Sequence, residues 1–115
     1  MIPVQIDRTD PTLLHDQVAA DIRRAIADGE AKPGEKLPPA RDLAAVLGVN
    51  TNTVLRALRL LREEGLLECQ RGRGITVAGG ARQKSVVLTR AKELVQLARL
   101  EGYRREELIR LIESL

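Results

Sequence analysis

Residues 40–77 read ARDLAAVLGVNTNTVLRALRLLREEGLLECQRGRGITV. The first eight residues, 40–47, form a short helix by periodicity, with Leu43, Val46 and Leu47 expected to face inward, and Gly48 stops it. A second helix begins near Thr51, with Asn50 or Thr51 as its cap, and sets Val54, Ala57, Leu58 and Leu61 on one face before Gly65 ends it. Two helices joined through Gly48 and Val49 make a helix-turn-helix pattern, although a generic three-helix bundle would share it. The residues after Gly65 weigh against the bundle. Leu66 to Gln70 and Ile75 to Ala78 are β-prone runs joined by Arg71-Gly72-Arg73-Gly74. Helix, helix and a hairpin with a basic tip is the order of a winged helix.

Upstream, Leu14, Val18, Ile22, Ala25 and Ile26 recur at helical spacing, with Asp16, Asp21, Arg23 and Arg24 expected to turn away from the core. Asp10 or Thr12 lies near the start of this helix and Gly29 lies beyond its end. The segment AKPGEKLPP, residues 31–39, reads as a loop, because Pro33, Pro38 and Gly34 do not belong inside a helix. Downstream, residues 78–81 (AGGA) are small and flexible, and a helix from Ser85 carries Val87, Leu88, Ala91, Leu94, Val95 and Ala98 on one face, widened by Leu97 and Leu100. After Gly102, residues 104–114 make a last helix with Leu108, Leu111 and Ile112 aligned. The expected architecture is mainly α with a small β hairpin (α+β). It comprises a winged helix-turn-helix domain at 1–78, a linker at 79–84 and a helical dimerisation tail at 85–115. Such a tail is too short to bury its apolar faces alone and must pack on its own domain or on a second copy. The linker favours the second copy, a homodimer.

Composition narrows the function. An apolar share of 43% supports a core, yet Phe and Trp are absent and Tyr103 is the only aromatic, so no stacking platform exists for unpaired bases. Duplex DNA stays open as a partner. Residues 36–80 hold seven Lys and Arg against four Asp and Glu, and no acidic side chain stands between Asp42 and Glu63 while Arg56, Arg59 and Arg62 do. A face cleared of carboxylates suits contact with phosphate. The start MIPVQIDRTDP has neither a basic n-region nor an apolar h-region, which points to a cytoplasmic protein, and no run approaches the ~18 apolar residues of a membrane span.

The stretch from Pro33 to Val77 resembles the GntR family of bacterial transcriptional regulators, through PGEKLP, RDLA, LGVN, NTNTVLRAL, EEGLL and RGRG before Val77. With the first helix and its lead-in VQIDRTDP the similarity covers about residues 2–78. The short helical tail looks like the YtrA-type subfamily, whose members lack a large effector domain and dimerise through C-terminal helices. The resemblance implies a dimeric DNA-binding regulator. It carries family contacts onto Arg41 at the start of the second helix, onto Asn50, Thr51, Asn52, Thr53 and Arg56, and onto Gly72 in the wing. Some relatives have Arg at the positions of Thr51 and Leu55, so their base preference does not transfer.

Read as chemistry, the first turns of a groove-lying helix face base edges, which makes Thr51, Asn52, Leu55 and Arg56 the readers. Asn52 and Arg56 stand four apart on one face; Asn can pair with adenine and Arg with guanine. The alternative is that Arg56 touches only phosphate and Asn52 only caps. Arg41, Thr53, Arg59, Arg71 and Arg73 suit phosphate contact; pairing with Glu63 or another surface carboxylate is the alternative for Arg59 and the expectation for Arg62. The two arginines of the tip would also serve solubility alone. A dimer predicts an inverted-repeat operator and, by expectation, a repressor.

Enzymatic chemistry finds no constellation: His15 is the sole histidine and suits a surface role, Cys69 reads as a small buried thiol rather than a redox sensor, and no metal or cofactor motif is present. A winged helix serving only protein interaction is the competing reading, and the missing carboxylates speak against it. A small-molecule effector, for which the sequence names no residue, would bind between the tail helices or at the dimer interface.

Overall fold

The computed structural model describes residues 14–115, so the expected helix start at Asp10 or Thr12 lies outside the described residues. Helix α1 (Leu14–Ala27) buries Val18, Ala19, Ile22, Ala25 and Ile26, as the apolar spacing requires. Asp21 and Arg23 do not turn outward. Arg23 is only 6% exposed and grips Glu64, with Nη2 at 2.9 and 3.0 Å from its two carboxylate oxygens and Nε at 3.1 Å from one of them. Asp21 is also buried and accepts from Arg24 at 2.6 Å. The reason is packing on two sides: α1 lies against α3 (Thr51–Glu63) and also against the long helix α4 (Ala81–Leu100), so residues beside the apolar stripe are covered as well.

Residues 31–37 do not form a free loop. Gly34 donates to the Val77 carbonyl (2.8 Å), Val77 to that of Glu35 (3.0 Å) and Leu37 to that of Ile75 (2.9 Å), laying this extended stretch along the wing while Ala31 and Leu37 enter the core. Helix α2 (Ala40–Leu47) starts on Pro39 and ends at Gly48, whose positive φ of 68° closes it with a left-handed cap. Leu43 and Ala44 are buried and Leu47 is half-buried, whereas Val46, expected inside, is 65% exposed. On so short a helix the face toward α3 is centred on Leu43, Ala44 and Leu47, and Val46 sits roughly a sixth of a turn beyond its edge.

Helix α3 (Thr51–Glu63) is capped by Asn50, whose Oδ1 accepts from the Asn52 backbone N–H at 2.8 Å. Asn50→Ala is expected to cost about 0.5–2 kcal/mol in the unfolding free energy, read as a lower urea midpoint. Val54, Ala57, Leu58 and Leu61 bury against α1 and α2. Strands β1 (Leu67–Gln70) and β2 (Gly74–Val77) pair antiparallel, Leu67 opposite Val77 and Cys69 opposite Ile75. Cys69 is exposed rather than buried, because β1 leaves the core after Leu67 as the hairpin projects.

Helix α4 (Ala81–Leu100) begins four residues before the expected Ser85, inside the segment expected as linker, so that only Gly79 and Gly80 separate it from Ala78. Its first turns are docked: Ala81 and Ser85 are fully buried, and the Ser85 hydroxyl donates to the Arg23 backbone carbonyl. Lys92 Nζ then reaches Glu64 at 3.4 Å, so that one carboxylate at the end of α3 joins α1 to α4. Gly102 turns the chain into α5 (Arg105–Glu113). There Glu107 accepts the Arg104 backbone N–H at 2.9 Å, and this bond, with help from the Arg104 side chain, holds its carboxyl below the ordinary glutamate range. Among the described residues no helix is long and apolar enough to cross a membrane.

Candidate nucleic-acid interface

The buried stripe of α3 dictates what its other side shows. With Val54, Ala57, Leu58 and Leu61 inward, Asn52, Leu55, Arg56 and Arg59 are exposed, and Thr51 and Thr53 are half-buried at the first turn. Asn50 does the capping, so the side-chain amide of Asn52 is not used by the cap. Leu55 stands out as an apolar side chain, 43% exposed, in the middle of this polar face. Arg41 projects from the first turn of α2, also exposed.

The wing brings a second set of cations alongside. Arg71, Gly72, Arg73 and Gly74 are all exposed at the tip, and the turn depends on φ of 80° at Gly72 and 78° at Gly74. A groove of about 160 Å³ separates wing from recognition helix, lined by Leu55, Leu58, Arg59, Arg62 and Ile75. Among the described residues Arg41, Arg56, Arg59, Arg62, Arg71 and Arg73 enter no ion pair, in contrast with Arg23, Arg24, Arg90, Lys92 and Arg104, which do. The carboxylate partner expected for Arg62 is therefore not found there; its side chain lines the groove instead.

Sequence reasoning missed Lys36 altogether. Because residues 34–37 run beside β2, its Cε comes 3.2 Å from the point where a Cβ on Gly74 would stand, which places an exposed ammonium stem next to the arginine tip. Periodicity carries no such signal, since this contact arises from pairing of backbones some forty positions apart.

A chain that sets helix, groove and cationic wing together in this way has relatives among known proteins. The family model of bacterial regulatory proteins of the gntR family fits residues 14–77. The chain belongs to the GntR family. It is accordingly a DNA-binding transcriptional regulator and not an enzyme. Its similarity to the HTH-type transcriptional repressor YtrA of Bacillus subtilis is 32% identity over 111 residues, covering 91% of this chain and 85% of YtrA. The solved YtrA of Sulfolobus acidocaldarius, a GntR-family transcription factor, aligns with a TM-score of 0.64 at 33% identity, covering 96% of this chain and 94% of that one. A fold likeness extends to BusR of S. agalactiae in complex with its busAB promoter DNA, with a TM-score of 0.58 at 19% identity, over 87% of this chain and 53% of that one.

In this GntR regulator the tail residues divide by burial. Val87 (68% exposed), Ala91, Leu94, Leu111 and Ile112 face outward, and Val86, Leu97, Leu100, Ile109 and Leu115 extend the apolar surface. Leu88 and Val95 are half-buried, Leu88 against the main core. Ala98 and Leu108 are buried where α4 meets α5, so both are held by their own chain. An apolar stripe read as one interface thus splits in two, because α4 has α1 on one side and open surface on the other.

Proposed function

We propose that the chain is a cytoplasmic homodimeric repressor that reads an inverted-repeat operator with α3 in the major groove and the wing on the adjoining backbone. The observation that carries this reading is the front of α3 and wing, where five arginines, with Arg41 of α2 as a sixth, stand without a carboxylate partner among the described residues. Asn52 and Arg56, one turn apart and exposed, suit adenine and guanine edges, and Leu55 between them suits a thymine methyl. Thr51 completes the reading turn. Arg41, Thr53, Arg59, Arg62, Arg71, Arg73 and Lys36 position the protein on phosphates, with the Gly72 backbone close to the strand. BusR, seen with promoter DNA, supports the placement by its fold.

The test is selection of bound duplexes from a random pool, followed by titration of the selected sequence against scrambled DNA. Arg56→Ala is expected to flatten the preference at one position of each half-site by about 1–3 kcal/mol, whereas Arg71→Ala weakens selected and scrambled DNA alike. Equal weak binding to every duplex by the unaltered protein sinks the reading.

The dimer rests on the exposed stripe of Val87, Leu94 and Leu97 with Leu111 and Ile112, apolar side chains that a lone chain leaves in water. Leu94→Glu with Leu97→Glu is expected to yield a folded monomer by sedimentation and to weaken operator binding, since the half-sites are then bound singly. A dimer that survives both charges places the interface elsewhere.

A further inference from the structure

Among the cations near the end of the tail that this reading does not use, two stand together. Arg99, two turns beyond Lys92 on α4, and Arg105, the first residue of α5, form no ion pair among the described residues. Both line two cavities at once. One is a cleft of about 250 Å³ between α4 and α5, whose other walls include Ala98, Tyr103, Leu108, Ile109 and Ile112, the last at the edge of the stripe assigned above to the dimer. The other is a broad opening of about 830 Å³ between α1 and α4, lined by Lys92, the partner of Glu64, by the largely buried Arg23 and by Asp16. Unpaired guanidiniums at the shared rim of an apolar cleft and a cationic opening recognise one kind of small molecule: an anionic head joined to an apolar body.

We propose that the α4–α5 cleft is an effector site for an amphipathic organic anion, its carboxylate or phosphate head held by Arg99 and Arg105 and its apolar body lying against Ala98, Tyr103, Leu108 and Ile109. As an effector site it rests on the regulator reading above; as a binding site it does not. The route to DNA is short. The head lies on the stripe of α4 that also carries Lys92, and Lys92 is tied at 3.4 Å to Glu64, the residue that closes α3. Lys92 lines the same opening as Arg99 and Arg105, so an anionic head there competes with Glu64 for its ammonium and loosens the tie to the recognition helix.

The site is tested by calorimetric titration of the full chain without DNA, using octanoate, octyl phosphate, octan-1-ol and inorganic phosphate as probes. Octanoate or octyl phosphate is expected to bind at least about tenfold more tightly than octanol or inorganic phosphate, the equivalent of one charge-assisted contact. The better of the two names the head. The double variant Arg99→Gln with Arg105→Gln removes this preference while helix content by circular dichroism stays unchanged. Equal binding of octanol and octanoate, an unaltered affinity in the double variant, or no heat with any probe overturns the site. Binding that vanishes as the chain is concentrated into its dimer also overturns it, because a second copy then fills the cleft. With operator DNA present, the bound probe is expected to change DNA affinity by about fivefold or more, and the DNA to change probe affinity by the same factor. Intact probe binding with unchanged DNA affinity overturns the effector role. Since the first titration contains no DNA, a chain that fails to read an operator leaves that result legible.

Discussion

Glu64→Ala is expected to lower the unfolding free energy by about 3–5 kcal/mol, the cost of breaking a buried ion pair from one side. The carboxylate accepts three hydrogen bonds from Arg23 and lies 3.4 Å from Lys92, and both members of the Arg23 pair are almost wholly covered. Removing it leaves a guanidinium in the interior with no acceptor, while Lys92, half in water, loses little. The physical claim concerns the stranded charge and not the attraction. The double variant Arg23→Met with Glu64→Leu is therefore expected to recover most of the loss, because apolar residues of similar volume often replace a buried pair at little cost. Urea unfolding checks both variants: the single change should move the midpoint strongly and the double change only slightly, at equal slope. A Glu64→Ala midpoint within error of the parent would mean that Arg23 reaches water or another acceptor unaided.

Raising salt from about 50 to 200 mM is expected to weaken operator binding by roughly a thousandfold, the loss associated with about six phosphate contacts. Lys36, Arg41, Arg59, Arg62, Arg71 and Arg73 supply six candidate cations in each copy, so half of them engaged in a dimer suffices. Arg71→Ala removes one contact per copy and is expected to reduce the slope of log affinity against log salt by about 2. A slope near zero, with the tip arginines present, would mean that the wing does not touch the backbone.

Several features of this regulator are local in origin and were legible as such. Gly48 ends α2 because only a left-handed residue closes it there, Asn50 caps α3 through a bond two residues away, and Gly72 and Gly74 turn the wing. The reading face of α3 follows from the same periodicity: once Val54, Ala57, Leu58 and Leu61 are inside, Asn52, Leu55 and Arg56 have nowhere else to point. Where prediction failed, the missing fact was a second neighbour. Val46 and Cys69 are apolar enough to be buried, yet a two-turn helix and a projecting hairpin offer them no partner surface. Arg23 and Asp21 are polar enough to be exposed, yet α1 packs against both α3 and α4 and the two side chains flanking its apolar stripe are buried.

Composition, periodicity and a handful of turn residues thus determined the winged helix-turn-helix, the carboxylate-free reading face of α3 and the arginine tip, since each depends on interactions within a few positions along the chain. Tertiary structure alone decided that Lys36 joins the wing, that Glu64 ties three helices together and that α4 docks on α1 through Ala81 and Ser85. Those outcomes turn on which surfaces meet across tens of residues of chain, as in the Arg23–Glu64 and Arg23–Ser85 bonds at separations of 41 and 62. A helical period reports that a face is apolar but not how many neighbours will cover it.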